Sequence, residues 1–379
     1  MRTIGKIFVT TFAVTVLLIT SGPYACKKKE KQPEVIKIGA ILPLSGTAGK
    51  YGQWIKDALE MARGEINNKG GIKGKKLIII YEDDQAEPKL AANAMQKLIV
   101  ADRVPIIFGS WASSCVLAQA PIAEKTRTPI LAEAQSPKIR DAGDYVFRIQ
   151  PDSRYYLKTL VPFIYTRLGI RTIAILYVNN DYGTDQANVF RDYFEEMGGK
   201  VLFMDGFDQG SVDFKTQLIK IKGSNPDGVF IPAYTEAGYI LKGAYELGIK
   251  TQFIGSAPIE NPEILNIAGK GAEGIVYPHH FNPESTDPRV KDFKKKYEST
   301  YGRELEGYAA LAYDGLYIIA YVLGKCGEDK ECIKKTLYNI KNFPGVTGPT
   351  TFDDHGDVIK PIVIRTVLNG NFVTLWAPK

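Results

Sequence analysis

The fold is decided by residues 35–84, which read VIKIGAILPLSGTAGKYGQWIKDALEMARGEINNKGGIKGKKLIIIYEDD. The nearly continuous apolar run over 35–42 predicts a parallel strand that is buried on both faces. The loop over 43–52 follows the carboxyl end of this strand, which is where open α/β sheets bind ligands. A helix with one apolar stripe follows and ends at Asn68-Lys69-Gly70-Gly71. The stripe consists of Trp54, Ile55, Ala58, Leu59, Ala62 and Ile66.

Strand and helix patterns alternate along the rest of the chain. Such alternation is typical of βαβ units, which give mainly parallel sheets with helices on both faces. The length of 379 residues favours two such lobes over one. Further strands are predicted at 76–81, 104–108, 129–132, 172–178, 199–205, 227–232, 251–254, 362–368 and 371–376, and helices at 88–101, 112–125, 153–168, 184–197, 213–222, 236–247, 288–300 and 305–324. None of these helices is expected to be long and apolar enough to cross a membrane.

Three loose, polar stretches interrupt the alternation and predict where the chain passes between the two lobes. Three such crossovers would make a clamshell whose cleft opens and closes by hinge bending. The crossovers are expected near 149–153, 278–286 and 347–360. The N-terminal lobe is expected to contain 35–150 and 283–348, and the C-terminal lobe 151–282 and 359–379.

The N-terminus has the pattern of a targeting signal. A basic start and an apolar run over 7–20 are typical of a secretory signal peptide, predicted here at 1–25. Cys26 follows the run and precedes a lysine-rich stretch, which favours a lipidated cysteine on a tether over 26–34. The alternative is ordinary secretory cleavage near Ala25, which would leave a soluble protein. Either way the mature chain is expected in the periplasm or on the outer cell surface.

Charge and cysteine usage agree with that compartment. The net charge of +6 is mild and forms no basic stripe, so nucleic-acid binding is not expected. Cys326 and Cys332 bracket a short charged loop and are predicted to form a disulfide in an oxidising space. A zinc site is the alternative, but two cysteines without a nearby histidine are a poor ligand set. Cys115 is expected to be a buried, inert thiol.

Several sequence motifs together resemble the leucine/isoleucine/valine-binding type of periplasmic solute-binding protein of ABC transporters. Each motif is weak alone, but their order and spacing over 35–379 are specific. They are Ile38-Gly39 with Leu42-Pro43-Leu44-Ser45-Gly46, Tyr51-Gly52, Glu65-Ile66-Asn67 with Gly70-Gly71-Ile72-Lys73-Gly74, Glu82-Asp83-Asp84-Gln85, Asp181-Tyr182-Gly183, Tyr308-Ala309-Ala310-Leu311-Ala312-Tyr313-Asp314 and Gly348-Pro349. The resemblance implies a Rossmann-like α/β fold of two lobes with a three-crossover hinge. It also implies capture of a small solute for a membrane permease.

The resemblance implies a ligand site on the first lobe at two strand ends. The stretch over 108–114 runs from a strand into a helix start, where free N–H groups and the helix dipole attract a carboxylate. We expect Ala112 and Ser113 to bind the ligand there, although helix capping is the commoner role of such a serine. Glu133 and Gln135 follow the next strand and match positions where the family uses backbone groups and a hydroxyl. Glu133 pointing to solvent is the alternative.

Aromatic residues are expected to close the cleft over the ligand. The resemblance places Tyr51 on the first lobe, and Tyr182 and Tyr234 on the second, where each follows a strand. Trp111 stands where branched-chain binders have a smaller apolar residue, so it would stack on a planar ligand or wall the cleft. A half-buried loop tyrosine is the alternative for each tyrosine, since the chain contains 21 of them.

The main departure from the family lies at Ala257. Family members that bind α-amino acids carry an acid there, which pairs with the ligand ammonium. Alanine cannot do this, and a buried ammonium without a partner costs several kcal/mol. Glu260 and Glu133 are the two acids that could replace it. The ligand is therefore either an amino acid or an organic or aromatic acid.

The sequence predicts a monomeric binding protein that captures a carboxylate-bearing solute without chemistry. It contains no nucleophile elbow, no zinc-protease motif and no phosphate-binding glycine loop, and no cofactor or metal is expected. The expected partners are the small ligand and ABC permease subunits in the inner membrane. The alternatives are a sensing module for a separate membrane receptor and, less favoured, a secreted α/β enzyme.

Overall fold

The computed structural model describes residues 34–378. The predicted signal peptide, the lipidation of Cys26 and the tether up to residue 33 lie outside the described residues.

Five parallel strands form the first sheet: β1 (Val35–Leu42), β2 (Lys76–Asp83), β3 (Ile107–Phe108), β4 (Ile130–Ala132) and β5 (Val146–Arg148). Their order across the sheet is β2-β1-β3-β4-β5. The helices between them are α1 (Gly49–Asn68), α2 (Pro88–Val100) and α3 (Ser113–Thr126). Because β1 has β2 on one side and β3 on the other, the connections after β1 and β3 diverge. A crevice therefore opens at the carboxyl ends of these two strands.

The second sheet has seven strands in the order β12-β11-β10-β9-β8-β6-β7. They are β6 (Thr172–Val178), β7 (Lys200–Phe207), β8 (Gly228–Ile231), β9 (Gln252–Gly255), β10 (Val276–His279), β11 (Val363–Leu368) and β12 (Asn371–Trp376). Its helices are α4 (Ser153–Arg167), α5 (Asp181–Glu196), α6 (Lys215–Ser224), α7 (Glu236–Glu246) and α8 (Pro262–Ala268). The strands from β6 to β10 are parallel, and β11 and β12 add an antiparallel edge. Here the strand order reverses between β6 and β8, which gives a second crevice.

After β10 the chain returns to the first sheet through α9 (Pro288–Tyr301), α10 (Gly307–Cys326) and α11 (Lys330–Tyr338). Helix α10 packs along α1, and Tyr313 and Tyr317 donate hydrogen bonds to Glu65 at 2.7 and 2.6 Å. The expectation that no helix has the length and apolarity of a membrane span was wrong for α10. However, 61% of its most apolar window is buried within the protein, which is what a core helix shows.

The structure adds four elements that are not among the predicted ranges: β5, β10, α8 and α11. Pro278 and His279 belong to β10, although they were expected to lie in a crossover. A proline argues against a strand interior on sequence grounds, but on the β9 side β10 pairs only at Val276 with Ile254, so the ladder there does not reach Pro278. Cys326 and Cys332 are joined by a disulfide between α10 and α11, and Cys115 is a buried free thiol.

A buried arginine connects the end of β5 to the loop before β11. Arg148, the last residue of β5, is fully buried, and its Nε donates to Asp357 at 2.7 Å. Its Nη1 donates to the carbonyl of Ser136 at 2.8 Å. Ser136 belongs to the loop after β4, so this guanidinium joins that loop to the loop before β11. Such planar, multiply bonded contacts suit arginine better than lysine.

Candidate functional site

Two aromatic rings of the first lobe lie at its crevice. The first turn of α1 supplies Tyr51 and the loop after β3 supplies Trp111, and the two rings stack with centroids 4.4 Å apart. Both side chains are buried. The strand reversal brings together two residues that are sixty positions apart in the sequence.

The second lobe repeats this arrangement at its own crevice. Tyr182 follows β6 and Tyr234 follows β8, and their rings stack at 5.0 Å. The two aromatic pairs meet across the cleft, because Trp111 lies 5.0 Å from Tyr234. The Tyr51 hydroxyl also donates to the carbonyl of Pro258 on the second lobe at 3.0 Å. All four predicted aromatic residues therefore lie together between closed lobes.

Ser113 is the first residue of α3, but it does not cap the helix. The capping position is Ala112, and no side chain accepts a bond from the first turn there. The Ser113 Oγ instead accepts the backbone N–H groups of Gln135 and Ser136 at 3.3 and 3.1 Å. The capping alternative is therefore wrong, and Ser113 joins the loops after β3 and β4. Its hydroxyl proton remains available as a donor.

The start of α3 has the chemistry of an anion site. The first N–H groups of a helix have no acceptor within the helix, and they carry the positive end of its dipole. Trp111, Ala112 and Ser113 are all buried, so water screens this charge weakly. A carboxylate is well suited to such a position.

Glu133 and Gln135 are both buried in the loop after β4. The Glu133 side chain is 1% exposed, so the alternative that it points to solvent is wrong. Its backbone N–H donates to Ser110 at 3.1 Å, which leaves its carbonyl as the remaining backbone group for a ligand. Burial raises the pKa of the Glu133 carboxyl well above its ordinary value. The Gln135 side-chain oxygen accepts from Gln186 of the second lobe at 2.8 Å.

The second acid suggested by the sequence, Glu260, already has partners. Its carboxylate lies 2.5 Å from Nε of Arg365 and accepts the Tyr277 hydroxyl at 3.0 Å. Both Glu260 and Arg365 are almost completely buried. Ala257 is also buried and packs in a small apolar cluster with Tyr156 and Ile362. The position where the family has an acid is thus apolar here.

The sequence analysis missed four buried polar residues near the loop that carries Glu133 and Gln135: Ser153, Tyr156, His280 and Tyr308. The Tyr156 hydroxyl lies 2.8 Å from Nδ1 of His280, and the His280 ring lies 5.3 Å from that of Tyr308. Burial lowers the pKa of His280 well below its ordinary value, so the ring is neutral. Tyr308 opens one of the motifs that carried the resemblance. Its position at the start of an apolar helix was the signal that could have identified it.

A cavity between the lobes is separate from the residues described above. A cavity of about 500 Å³ at the rim is lined by both lobes, including Thr47, Lys50, Ser211 and Tyr239. None of the predicted ligand residues lines it. Within residues 34–378, no group of three His, Cys, Asp or Glu side chains is placed to hold a metal ion.

Comparisons with known proteins agree with this geometry. Residues 35–371 match the periplasmic binding protein family. The chain is 29% identical over 331 residues to the Leu/Ile/Val-binding protein of Escherichia coli (strain K12), covering 86% of this chain and 88% of the relative.

Two solved structures show the same fold at similar identity. The leucine-binding protein LivK of Thermotoga maritima is 29% identical, with a TM-score of 0.85 over 90% of this chain and 97% of that chain. LivJ of Streptococcus pneumoniae, solved in complex with isoleucine, is 27% identical, with a TM-score of 0.84 over 90% of this chain and 100% of that chain. The matched segment runs from β1 into β12, so it includes both crevices and all four aromatic residues between them. The chain therefore belongs to the periplasmic binding protein family, in the type that resembles leucine/isoleucine/valine-binding proteins.

Proposed function

We propose that this protein is the extracytoplasmic substrate-binding component of an ABC importer. It captures a small carboxylate-bearing solute by closure of its two lobes and releases the solute unchanged. In this proposal it is a monomer in the periplasm or on the outer cell surface, is lipid-anchored through Cys26, and delivers its ligand to permease subunits of the inner membrane.

The observation that carries the proposal is the enclosure of the α3 start between the lobes. Ser113 and the first-turn N–H groups would supply donors for a carboxylate, and Tyr234 of the second lobe lies 5.0 Å from Trp111 beside them. The backbone N–H of Asp181 also donates to Ser114 at 3.3 Å, so the second lobe contacts α3 directly. The Escherichia coli relative supports the proposal, since it is a Leu/Ile/Val-binding protein.

A thermal-shift screen of the mature protein tests the ligand class. The screen contains amino acids, aromatic acids, short fatty acids and their amides. A ligand at a hundred times its dissociation constant stabilises the folded state by about 2.7 kcal/mol. A carboxylate hit that mass spectrometry recovers unaltered supports binding without chemistry. Turnover of the hit would support the enzyme alternative, and no shift with any carboxylate would contradict the proposal.

Ser113→Ala tests the anion site directly. We expect it to weaken binding of the carboxylate hit at least tenfold, or about 1.4 kcal/mol, because a hydroxyl donor is lost. Ser299→Ala, in an exposed serine of α9, is the matched control and should leave the affinity unchanged. Circular dichroism and the melting temperature show whether both variants fold. Equal affinities in a folded Ser113→Ala would remove Ser113 from the site.

A further inference from the structure

The carboxylate of Glu133 is buried without a partner. Both of its oxygens are inaccessible, and neither has a hydrogen-bond partner within residues 34–378. No lysine, arginine or histidine of that range forms an ion pair with it. Buried polar groups are nearly always hydrogen-bonded, and buried charges are nearly always paired. An isolated carboxylate is therefore a position where a binding partner from outside the chain is expected.

The groups around Glu133 are neutral hydroxyls and rings. Burial, followed by nearby tyrosines and the charge of Glu133, raises the pKa of the Tyr308 hydroxyl, and the Glu133 charge also acts on Tyr156. The Tyr308 hydroxyl and the Ser153 Oγ are likewise buried without hydrogen-bond partners among the described residues. Three buried side chains from separate elements thus have polar atoms without hydrogen-bond partners among the described residues.

The loop that carries Glu133 adjoins the start of α3. Glu133 lies two residues before Gln135, whose backbone N–H is bonded to Ser113 at the start of α3. The backbone N–H of Ser153 donates to the carbonyl of Gln135 at 2.9 Å. The Tyr308 ring lies 5.8 Å from Trp111, which immediately precedes the α3 start. The loop that carries Glu133 is therefore bonded directly to the start of α3.

Two other acids near the cleft, Glu260 and Glu236, are already engaged. Glu260 is paired with Arg365 and Tyr277. The carboxylate of Glu236 accepts the backbone N–H groups of Gly210 and Tyr234 at 2.7 and 3.1 Å. Glu133 differs from both because it has no such partner. It also lies on the first lobe, whereas Ala257 lies on the second.

We propose that Glu133 binds a cationic nitrogen of the ligand from the first lobe and so replaces the acid missing at Ala257. The inference rests on the proposed function, because it assumes that the ligand carboxylate lies at the start of α3. It narrows the ligand class to small zwitterions, in which the ammonium is held by Glu133 and the carboxylate by the helix. An anionic ligand without the ammonium would leave the Glu133 carboxyl without a cationic partner.

The test compares amino acids with their deaminated counterparts by calorimetry. Leucine is paired with isocaproate, phenylalanine with hydrocinnamate and valine with isovalerate, on the wild-type protein and on Glu133→Gln. We expect the best amino acid to bind about a hundredfold more tightly than its deaminated form, because a buried charge pair is lost in the latter. Glu133→Gln should remove this ratio while leaving the affinity for the deaminated form nearly unchanged. Glu196→Gln, an exposed acid of α5, is the charge-matched control.

The outcomes separate this inference from the proposed function. Deaminated acids that bind wild type as tightly as the amino acids would overturn the inference and leave the proposed function in place. A ratio that survives in Glu133→Gln would do the same. If neither amino acids nor acids bind, the proposed carboxylate capture fails and the inference fails with it. The wild-type comparison decides the question even if Glu133→Gln does not fold.

Discussion

Glu260 and Glu133 differ in whether their buried carboxyl groups have partners. Both side chains are almost completely buried, and both stood as equal candidates on sequence grounds. Glu260 has a guanidinium at 2.5 Å and a tyrosine hydroxyl at 3.0 Å, whereas both oxygens of Glu133 have no hydrogen-bond partner within residues 34–378. A paired buried acid maintains the fold, and an unpaired one is available to a ligand. Burial by itself therefore does not identify a binding residue; the state of its partners does.

The largest effect that would test this comparison is expected from Arg365→Met. It would leave Glu260 buried without its cation and should lower the free energy of unfolding by about 3–5 kcal/mol. Urea denaturation of the unliganded protein measures this. Glu284→Gln is the control, because Glu284 lies 3.7 Å from Arg365 but is half exposed, and we expect a change below about 1 kcal/mol. A loss of less than 1 kcal/mol in Arg365→Met would show that the Glu260 pair does not maintain the fold.

The second expected effect is a pH dependence of stability that comes from His279, which lies 3.8 Å from Glu260. Burial, together with the charge of Arg365, lowers the pKa of His279 to about 3 from its ordinary 6.5. Between these values the unfolded chain binds more protons than the folded one, so stability is lost as the pH falls below 6.5. The contribution of His279 between pH 7 and pH 5 is about 2 kcal/mol.

Urea denaturation of wild type and His279→Asn at both pH values measures this contribution. Asparagine keeps a donor for the carbonyl of Phe281, which lies 3.2 Å from Nδ1, but does not titrate. When the pH is lowered from 7 to 5, we expect the free energy of unfolding to fall by about 2 kcal/mol less in the variant than in wild type. His355→Asn, in an exposed histidine, should behave as wild type does. Equal pH dependence in wild type and His279→Asn would contradict the prediction.

The smallest effect on stability is expected from Glu133→Gln. Because the carboxylate has no partner to lose, the unliganded variant should unfold within about 1 kcal/mol of wild type, or be slightly more stable. The same denaturation experiment measures this, with Arg365→Met as the contrasting variant. A loss above 2 kcal/mol would mean that Glu133 maintains the fold as Glu260 does.

Much of the fold was predictable because its signals are local. Buried parallel strands such as β1 are continuous apolar runs, and α1 carries an apolar stripe that ends at glycines. The strand β10 was missed because it is four residues long and contains Pro278. The helix α10 was misjudged because composition does not distinguish a core helix from a membrane span.

The candidate site was predictable where the resemblance supplied positions. It supplied Tyr51, Ser113, Tyr182 and Tyr234 as candidate ligand residues, and the structure shows that all four are buried. It did not supply Tyr156 or His280, because they come from a helix and a crossover far from the other site residues in sequence. Their proximity to Tyr308 exists only once the hinge is folded.

The sequence by itself determined the alternating βαβ architecture, the aromatic residues that follow the strands and the missing acid at Ala257. These features depend on local patterning and residue identity. Only the tertiary structure decided that Glu260 is paired with Arg365 from a strand over a hundred residues later, and that Glu133 is not paired. The pairing of a buried charge depends on which distant side chains the packed chain brings within a few ångströms, and the order of residues does not encode that distance.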